Sequence, residues 1–228
     1  MTRYALYFAP DRDSAWWHAG NQWLGRDAEA AEPLPQPVIE GMQPDLQHKL
    51  TRDARRYGFH ATLKAPFRLA PGCTEAALHL ALQDFCRQRA PVRGLAPGVQ
   101  WMGNFLALRP TENQAAINAL AFACVEHFDQ FRAPMSEADL ARRQQHPLSP
   151  RQQALLMQWG YPYTEEEFRF HMTLTDRLEP GALADSIHTA AQKHFDLDAP
   201  LDINGLALFT EHQPGADFQL AARFPFGE

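Results

Sequence analysis

Phe59-His60-Ala61-Thr62-Leu63-Lys64 is echoed by Phe170-His171-Met172-Thr173-Leu174-Thr175. Each copy reads Phe-His-x-Thr-Leu, and the two histidines stand 171 − 60 = 111 residues apart. The chain holds ten histidines, ten threonines and 26 leucines among 228 residues. Shuffling that composition yields two copies of His-x-Thr-Leu about once in a thousand sequences, before the shared phenylalanine is counted. The repeat is therefore a signal to build on.

On a β-strand, side chains alternate between faces with period two, so residues i and i+2 point the same way. His60, Thr62 and Lys64 then line one face while Phe59, Ala61, Leu63 and Ala65 line the other. The second copy sets Arg169, His171, Thr173 and Thr175 opposite Phe168, Phe170, Met172 and Leu174. Two polar stripes that meet would bring two imidazoles, two hydroxyls and one or two cations into one pocket. Imidazole titrates near neutral pH, so facing histidines divide acid and base duty. Breaking a phosphodiester needs a deprotonated nucleophile and a protonated leaving alkoxide, and His60 and His171 supply one each. Thr62 and Thr173 donate to the non-bridging phosphate oxygens, where charge builds in the transition state. Lys64 and Arg169 either add positive charge there or form structural ion pairs. The scheme calls for no metal and no cofactor: strand neighbours at i+2 are threonines, which are poor zinc ligands.

Around this pair the chain reads as an α+β protein of two pseudo-symmetric lobes in one bilobal domain. The first half runs over about 57–111 and the second over about 168–226. Each gives a motif strand, a Pro-Gly break, a helix, an Ala-Pro stop and further strands. The Ala-Pro pairs keep register with the motifs, since 91 − 60 = 31 and 200 − 171 = 29. A helical insertion spans about 112–160. Ahead of the first motif, Arg3 to Ala9 reads as a strand, Asp11 or Asp13 caps a helix to about Arg26, and 27–44 is a proline-rich excursion. A single short helix over 45–56 leads to Gly58, which allows close approach of a ligand or a strand. The motif strand is expected over 59–69, with an edge or bulge at Pro66.

Composition narrows the function. A net charge of −6 and a pI near 5.9 argue against a protein that coats long nucleic acid. Arg52, Arg55, Arg56, Lys64 and Arg68 form a basic cluster beside the first motif, suited to a small phosphorylated ligand. Cys73, Cys86 and Cys124 have no Cys-x-x-Cys spacing and read as reduced thiols. The N-terminal residues carry no signal-peptide pattern and no apolar run is long enough to span a membrane, so a cytoplasmic location is expected.

Paired His-x-Thr motifs in a duplicated α+β chain resemble the 2H phosphoesterase superfamily. Arg56-Tyr57-Gly58-Phe59-His60-Ala61-Thr62-Leu63-Lys64-Ala65-Pro66-Phe67 resembles the branch found among bacterial phosphonate-metabolism proteins. So do Gly160-Tyr161-Pro162-Tyr163, the stretch Phe168 to Leu174, and the opening Arg3 to Pro10. The resemblance implies two antiparallel sheets flanking a cleft, helices outside, and His60, Thr62, His171 and Thr173 as the catalytic set. It further implies a small cyclic or linear phosphodiester of the ribose or nucleoside cyclic phosphate class. Tyr57 adjoins the first motif as a substrate contact, and Tyr7 and Tyr163 close the cleft. Three rivals stand beside this reading. One is a non-catalytic binder of a phosphorylated metabolite, and another is a metal enzyme using His60, His171 and Asp176 or Glu167. The third is an RNA 2′,3′-cyclic phosphodiesterase or ligase acting on short RNA.

Overall fold

The computed structural model describes residues 1–143 and 147–227. β1 (Arg3–Phe8) is buried at every position. α1 (Ala15–Leu24) is capped by Ser14 rather than Asp11 or Asp13. The Ser14 hydroxyl accepts from the Trp17 N–H at 3.1 Å and donates to the Asp11 carbonyl at 2.7 Å. Gly25, at φ 79°, ends the helix in a left-handed turn. The proline-rich stretch contributes a minimal hairpin, β2 (Arg26–Asp27) with β3 (Glu32–Pro33), and then α2 (Pro44–Leu50). The single helix expected over 45–56 is two, because Thr51 leaves helical geometry before α3 (Arg52–Tyr57).

The first half then gives β4 (Ala61–Phe67), α4 (Glu75–Arg87), β5 (Val92–Leu95), β6 (Pro97–Met102) and β7 (Phe105–Pro110). The helical segment holds α5 (Gln114–His127), a 3₁₀ turn at Asp129–Phe131, α6 (Glu137–Arg143) and α7 (Pro150–Trp159). After a 3₁₀ turn at Glu165–Glu167, the second half gives β8 (Met172–Thr173), α8 (Ala182–His194), β9 (Leu201–Ile203), β10 (Gly205–Glu211) and β11 (Gln219–Pro225). The order strand-helix-strand-strand-strand thus occurs twice.

These strands build a seven-stranded antiparallel sheet in the order β11-β10-β1-β4-β8-β7-β6. The halves exchange partners. β8 lies against β7 and β6 of the first half, while β4 joins β10 and β11 of the second through β1. β5 pairs with β9 in a separate ribbon, which is why the stretch from Val92 to Trp101 is two strands. The two lobes are not free-standing sheets: one residue pair, Ala61 with Met172, links β4 to β8.

Alternate residues of β1 divide between two cores, as the pleat requires. Leu6 and Phe8 join the main core with Met172, Leu108, Leu208 and the apolar stripes of α4, α5 and α8. Ala5 and Tyr7 face the opposite side, in a smaller core with Trp17, Ala28, Phe209 and Phe218. β4 carries an irregularity that matters below. Its pairing with β1 runs Leu6 with Lys64 but Tyr7 with Thr62, so Leu63 is an extra residue. Pro66 falls at a second register shift, between the Tyr4–Phe67 and Leu6–Lys64 pairs, and β8 reaches only Ala61, leaving this end of β4 with β1 as its partner.

Arg3 pairs in register with Glu211 at the end of the sheet. The Glu211 side chain is 0% exposed and holds both the Arg3 and Arg56 guanidiniums, and it accepts from the Gly215 N–H at 3.0 Å. Burial alone would raise this carboxyl, but the Arg3 hydrogen bond and charge leave it below the usual glutamate value. Removing one partner from such a cluster strands the others without a countercharge. Glu211→Ala is therefore expected to lose about 3 kcal/mol or more of unfolding free energy, measured by urea denaturation.

Candidate active site

The link between the lobes sets the geometry of both motifs. Ala61 opposes Met172, and 61 + 172 = 233. Carried one residue either way, that antiparallel register sets His60 across from Thr173 and Thr62 across from His171. Ala61 and Met172 are fully buried in the main core, so the four flanking polar residues turn to the other face. β7 supports this assignment, since Ala107 opposes Thr173 and Leu108 opposes Met172. Leu108 is in the main core.

Both imidazoles are held alike. His60 Nδ1 lies 2.9 Å from the Gly58 carbonyl, and His171 Nδ1 lies 2.7 Å from the Arg169 carbonyl. A carbonyl only accepts, so Nδ1 carries the proton in each neutral ring and Nε2 is left as an acceptor. His60 Nε2 sits 3.1 Å from Thr62 Oγ1. Gly58 adopts φ 80° and ψ 175°, a conformation open essentially to glycine alone. A Cβ there would come 2.6 Å from the Ala28 Cβ, so the close neighbour is the hairpin loop rather than a ligand. Tyr7 stacks on His60 with ring centroids 3.8 Å apart and 24° between planes.

Burial lowers both histidines. His60 falls to about 4, opposed by its bond to Gly58 and helped by the neighbouring His171. His171 is lowered by burial first, against its bond to Arg169, with the Arg109 charge adding to the effect. Burial thus favours the neutral form of both rings.

Three adjoining hollows meet at the motifs. The largest, about 650 Å³, is lined by Thr62, His171, Phe105, Tyr161 and Tyr163 with Arg109, Arg169 and Arg177. A second, about 520 Å³, takes in His60, Thr173, Tyr57 and Asp176. A third, about 220 Å³, lies between Tyr7, Tyr57, His60, Thr62 and Thr173, with Arg3 and Arg143 at its side. Tyr57 stacks on Phe218 at 5.0 Å, and Tyr163 stands 44% exposed at the rim, edge-on to Tyr161. Arg169 lines the largest hollow while donating through one nitrogen to the Glu166 and Phe168 carbonyls.

Lys64 is not in the cleft. Without the extra residue at Leu63 it would follow Thr62 onto that face, opposite Ala5. The bulge turns it toward Leu6 instead. There it is 3% exposed, donating to the Val125 carbonyl at 3.0 Å and to Asp129 at 3.1 Å. Burial pulls its ammonium down to about 8, against the Asp129 charge. The expected basic cluster dissolves for a similar reason: Arg52 pairs with Asp53, Arg56 with Glu211, and Arg68 with Asp139. Arg55 donates to the His48 carbonyl and Thr51.

The cations that do face the cleft, Arg109, Arg143 and Arg177, escaped the sequence reading. Strand parity over 105–109 would have caught Arg109, which shares a face with Phe105 and Ala107 opposite the apolar Leu106 and Leu108. Arg143 and Arg177 lie outside strands and carried no such signal. The carboxylates weighed as metal ligands have other partners. Asp176 accepts from the Asp53 N–H at the start of α3, and Glu167 from Gln152 Nε2 at 2.9 Å. Among the described residues, no group of three or more His, Cys, Asp or Glu is arranged to hold a metal ion. Nor is any helix long and apolar enough to cross a membrane.

Comparison with known proteins adds relatives. The chain is 48% identical over 232 residues to ribose 1,5-bisphosphate phosphokinase PhnN of Janthinobacterium sp. (strain Marseille), covering 99% of this chain and 51% of that protein. It is 39% identical over 218 residues to the protein of the same name from Laribacter hongkongensis (strain HLHK9), covering 96% and 50%. The chain thus spans about half the length of the curated relatives it matches. Among solved structures, E. coli LigT complexed with NADP+ superposes over 100% of this chain and 98% of that one, at a TM-score of 0.44 and 13% identity. Residues 62–219 match a family described as "Protein of unknown function (DUF1045)", and this chain belongs to that family.

Proposed function

We propose that this chain is a metal-independent phosphodiesterase that hydrolyses a small cyclic or linear phosphodiester through His60 and His171. The observation that carries the reading is the reciprocal register: each histidine faces the other motif's threonine across one seam. A phosphoryl group over that seam meets Nε2 of one ring on each side. One imidazole takes the proton of the attacking water as the other protonates the leaving alkoxide, and Thr62 and Thr173 donate to the non-bridging oxygens. Neutral rings in the empty cleft are ready for the base role. The anionic diester favours the protonated form of a facing imidazole and so readies the acid. A passive binder of a phosphorylated metabolite gains nothing from two matched imidazoles with the same tautomer.

The substrate class is a ribose or nucleoside cyclic phosphate, and the setting is phosphonate metabolism in the cytoplasm. Support comes from the chain's match to half of two proteins named for ribose 1,5-bisphosphate and bearing the name PhnN. Short RNA is disfavoured, because four of the five cations that would track its backbone, Arg52, Arg56, Lys64 and Arg68, are paired with carboxylates.

His60→Ala and His171→Ala are each expected to lower kcat on a ribose-based cyclic phosphate by about 10² or more, with binding of the product retained. Wild-type protein that binds these compounds but never turns them over would leave only a binding role. The pH profile follows from the lowered histidines. The base must be deprotonated and the acid protonated, and both titrate below 6.5 in the free enzyme. Hence kcat/KM is expected to be bell-shaped with its maximum on the acid side of pH 6.5. A profile rising without a break to pH 9 would count against two-histidine catalysis.

A further inference from the structure

The cleft is larger than one phosphodiester needs, and its largest arm is unusually cationic for an acidic chain. Arg109 projects from β7 on the same face as Thr173, as its register two residues from Ala107 requires. Its Nε is buried without a hydrogen-bond partner, and its one side-chain contact is a long 3.4 Å bond to Gln100. Arg177 enters from the loop after β8 and borders both the largest hollow and the one beside His60. Arg169 completes the set. Many arginines elsewhere pair with carboxylates, among them Arg3, Arg56, Arg68, Arg132, Arg151 and Arg223. Among the described residues, Arg109, Arg169 and Arg177 have none within ion-pair distance. The single carboxylate lining this arm, Glu167, is engaged by Gln152.

We infer that this arm is a second anion subsite, in which Arg109 and Arg177 hold a phosphate monoester carried by the substrate at a distance from the ester that is cleaved. The inference rests on the phosphodiesterase reading for the reacting group and adds the substrate class: a phosphorylated sugar cyclic phosphate or diester with two phosphoryl groups. A phosphate monoester carries close to two negative charges at pH 7 and has three acceptor oxygens. Guanidinium groups match that geometry with paired donors, which an ammonium would not. The arm lies on the His171 side of the seam, so a substrate spanning both sites is fixed in one orientation. Its reacting ester is then presented to the two histidines in a set order. A substrate lacking the second phosphate would leave the half-buried Arg109 guanidinium without its anion and bind with less orientation.

The test uses a ribose cyclic phosphate with and without a 5-phosphate, and ribose 5-phosphate as a ligand that has no phosphodiester to cleave. Wild type is expected to favour the 5-phosphorylated cyclic substrate by about 10² or more in kcat/KM, and Arg109→Met or Arg177→Met to cut that preference about tenfold each. Ribose 5-phosphate, measured by calorimetry, is expected to bind Arg109→Met about tenfold or more weakly than wild type. Arg177 is exposed, so its variant keeps the fold where Arg109→Met proves unstable by thermal melting. Equal kcat/KM on the two cyclic substrates overturns the subsite. So does ribose 5-phosphate binding unchanged in both variants, or preference for an unphosphorylated nucleoside cyclic phosphate, which would give the arm to a base. If neither cyclic substrate turns over yet ribose 5-phosphate binding depends on both arginines, the subsite stands and the phosphodiesterase reading falls.

Discussion

One backbone pairing, Ala61 with Met172, governs where every reactive group lies. A slip of one residue there would send the histidines into the core and bring Ala61 and Met172 to the cleft. Yet β8 is two residues long, too short for its ladder bonds to fix the register. Contacts beyond the strand do so instead. Trp23 Nε1 donates to the Leu174 carbonyl at 2.9 Å, and Thr175 Oγ1 accepts from the Leu106 N–H at 3.0 Å. The Leu178 N–H reaches the Asn104 carbonyl at 2.7 Å. Apolar anchoring by Met172 and Leu174, both fully buried, makes the alternative register costly.

Charge is partitioned with the same economy. Cations that support the scaffold are buried with carboxylates, as with Arg3 and Arg56 on Glu211 or Lys64 on Asp129. In each such cluster the carboxylate offsets part of the positive charge and reduces the field it projects. Arg109, Arg169 and Arg177 have no carboxylate partner among the described residues and line one hollow, so a protein of net charge −6 presents a locally positive site. Net charge excluded a nucleic-acid coat but said nothing about this local arrangement.

The sequence carried the motif faces because strand parity is short-ranged: His60 and Thr62 share a face whatever the rest of the chain does. It also carried the twofold order of elements, since Pro-Gly and Ala-Pro breaks act locally. Lys64 was misplaced because a single bulged residue reverses parity, and nothing in Thr62-Leu63-Lys64 marks Leu63 as that residue. The exchange of strands between halves was out of reach for a different reason. Pairing β8 with β7 rather than with β10 is decided by side chains more than sixty residues away. Ser14 displaced the aspartates as a cap by its position one residue before the helix, a distinction finer than composition resolves.

That exchange has a consequence for how the site is maintained. The ring stacked on His60 belongs to Tyr7 in β1, and Tyr7 is itself packed on Phe209 and Phe218 near the C-terminal end of the described chain. His171, in the second half, takes its flanking strand from the first. Each ring is thus tethered by a carbonyl of its own half but takes its packing from outside that half. The packing around His60 is complete only when β10 and β11 have joined β1, a pairing with large loop-closure cost. The placement of the two imidazoles is thus coupled to completion of the whole sheet.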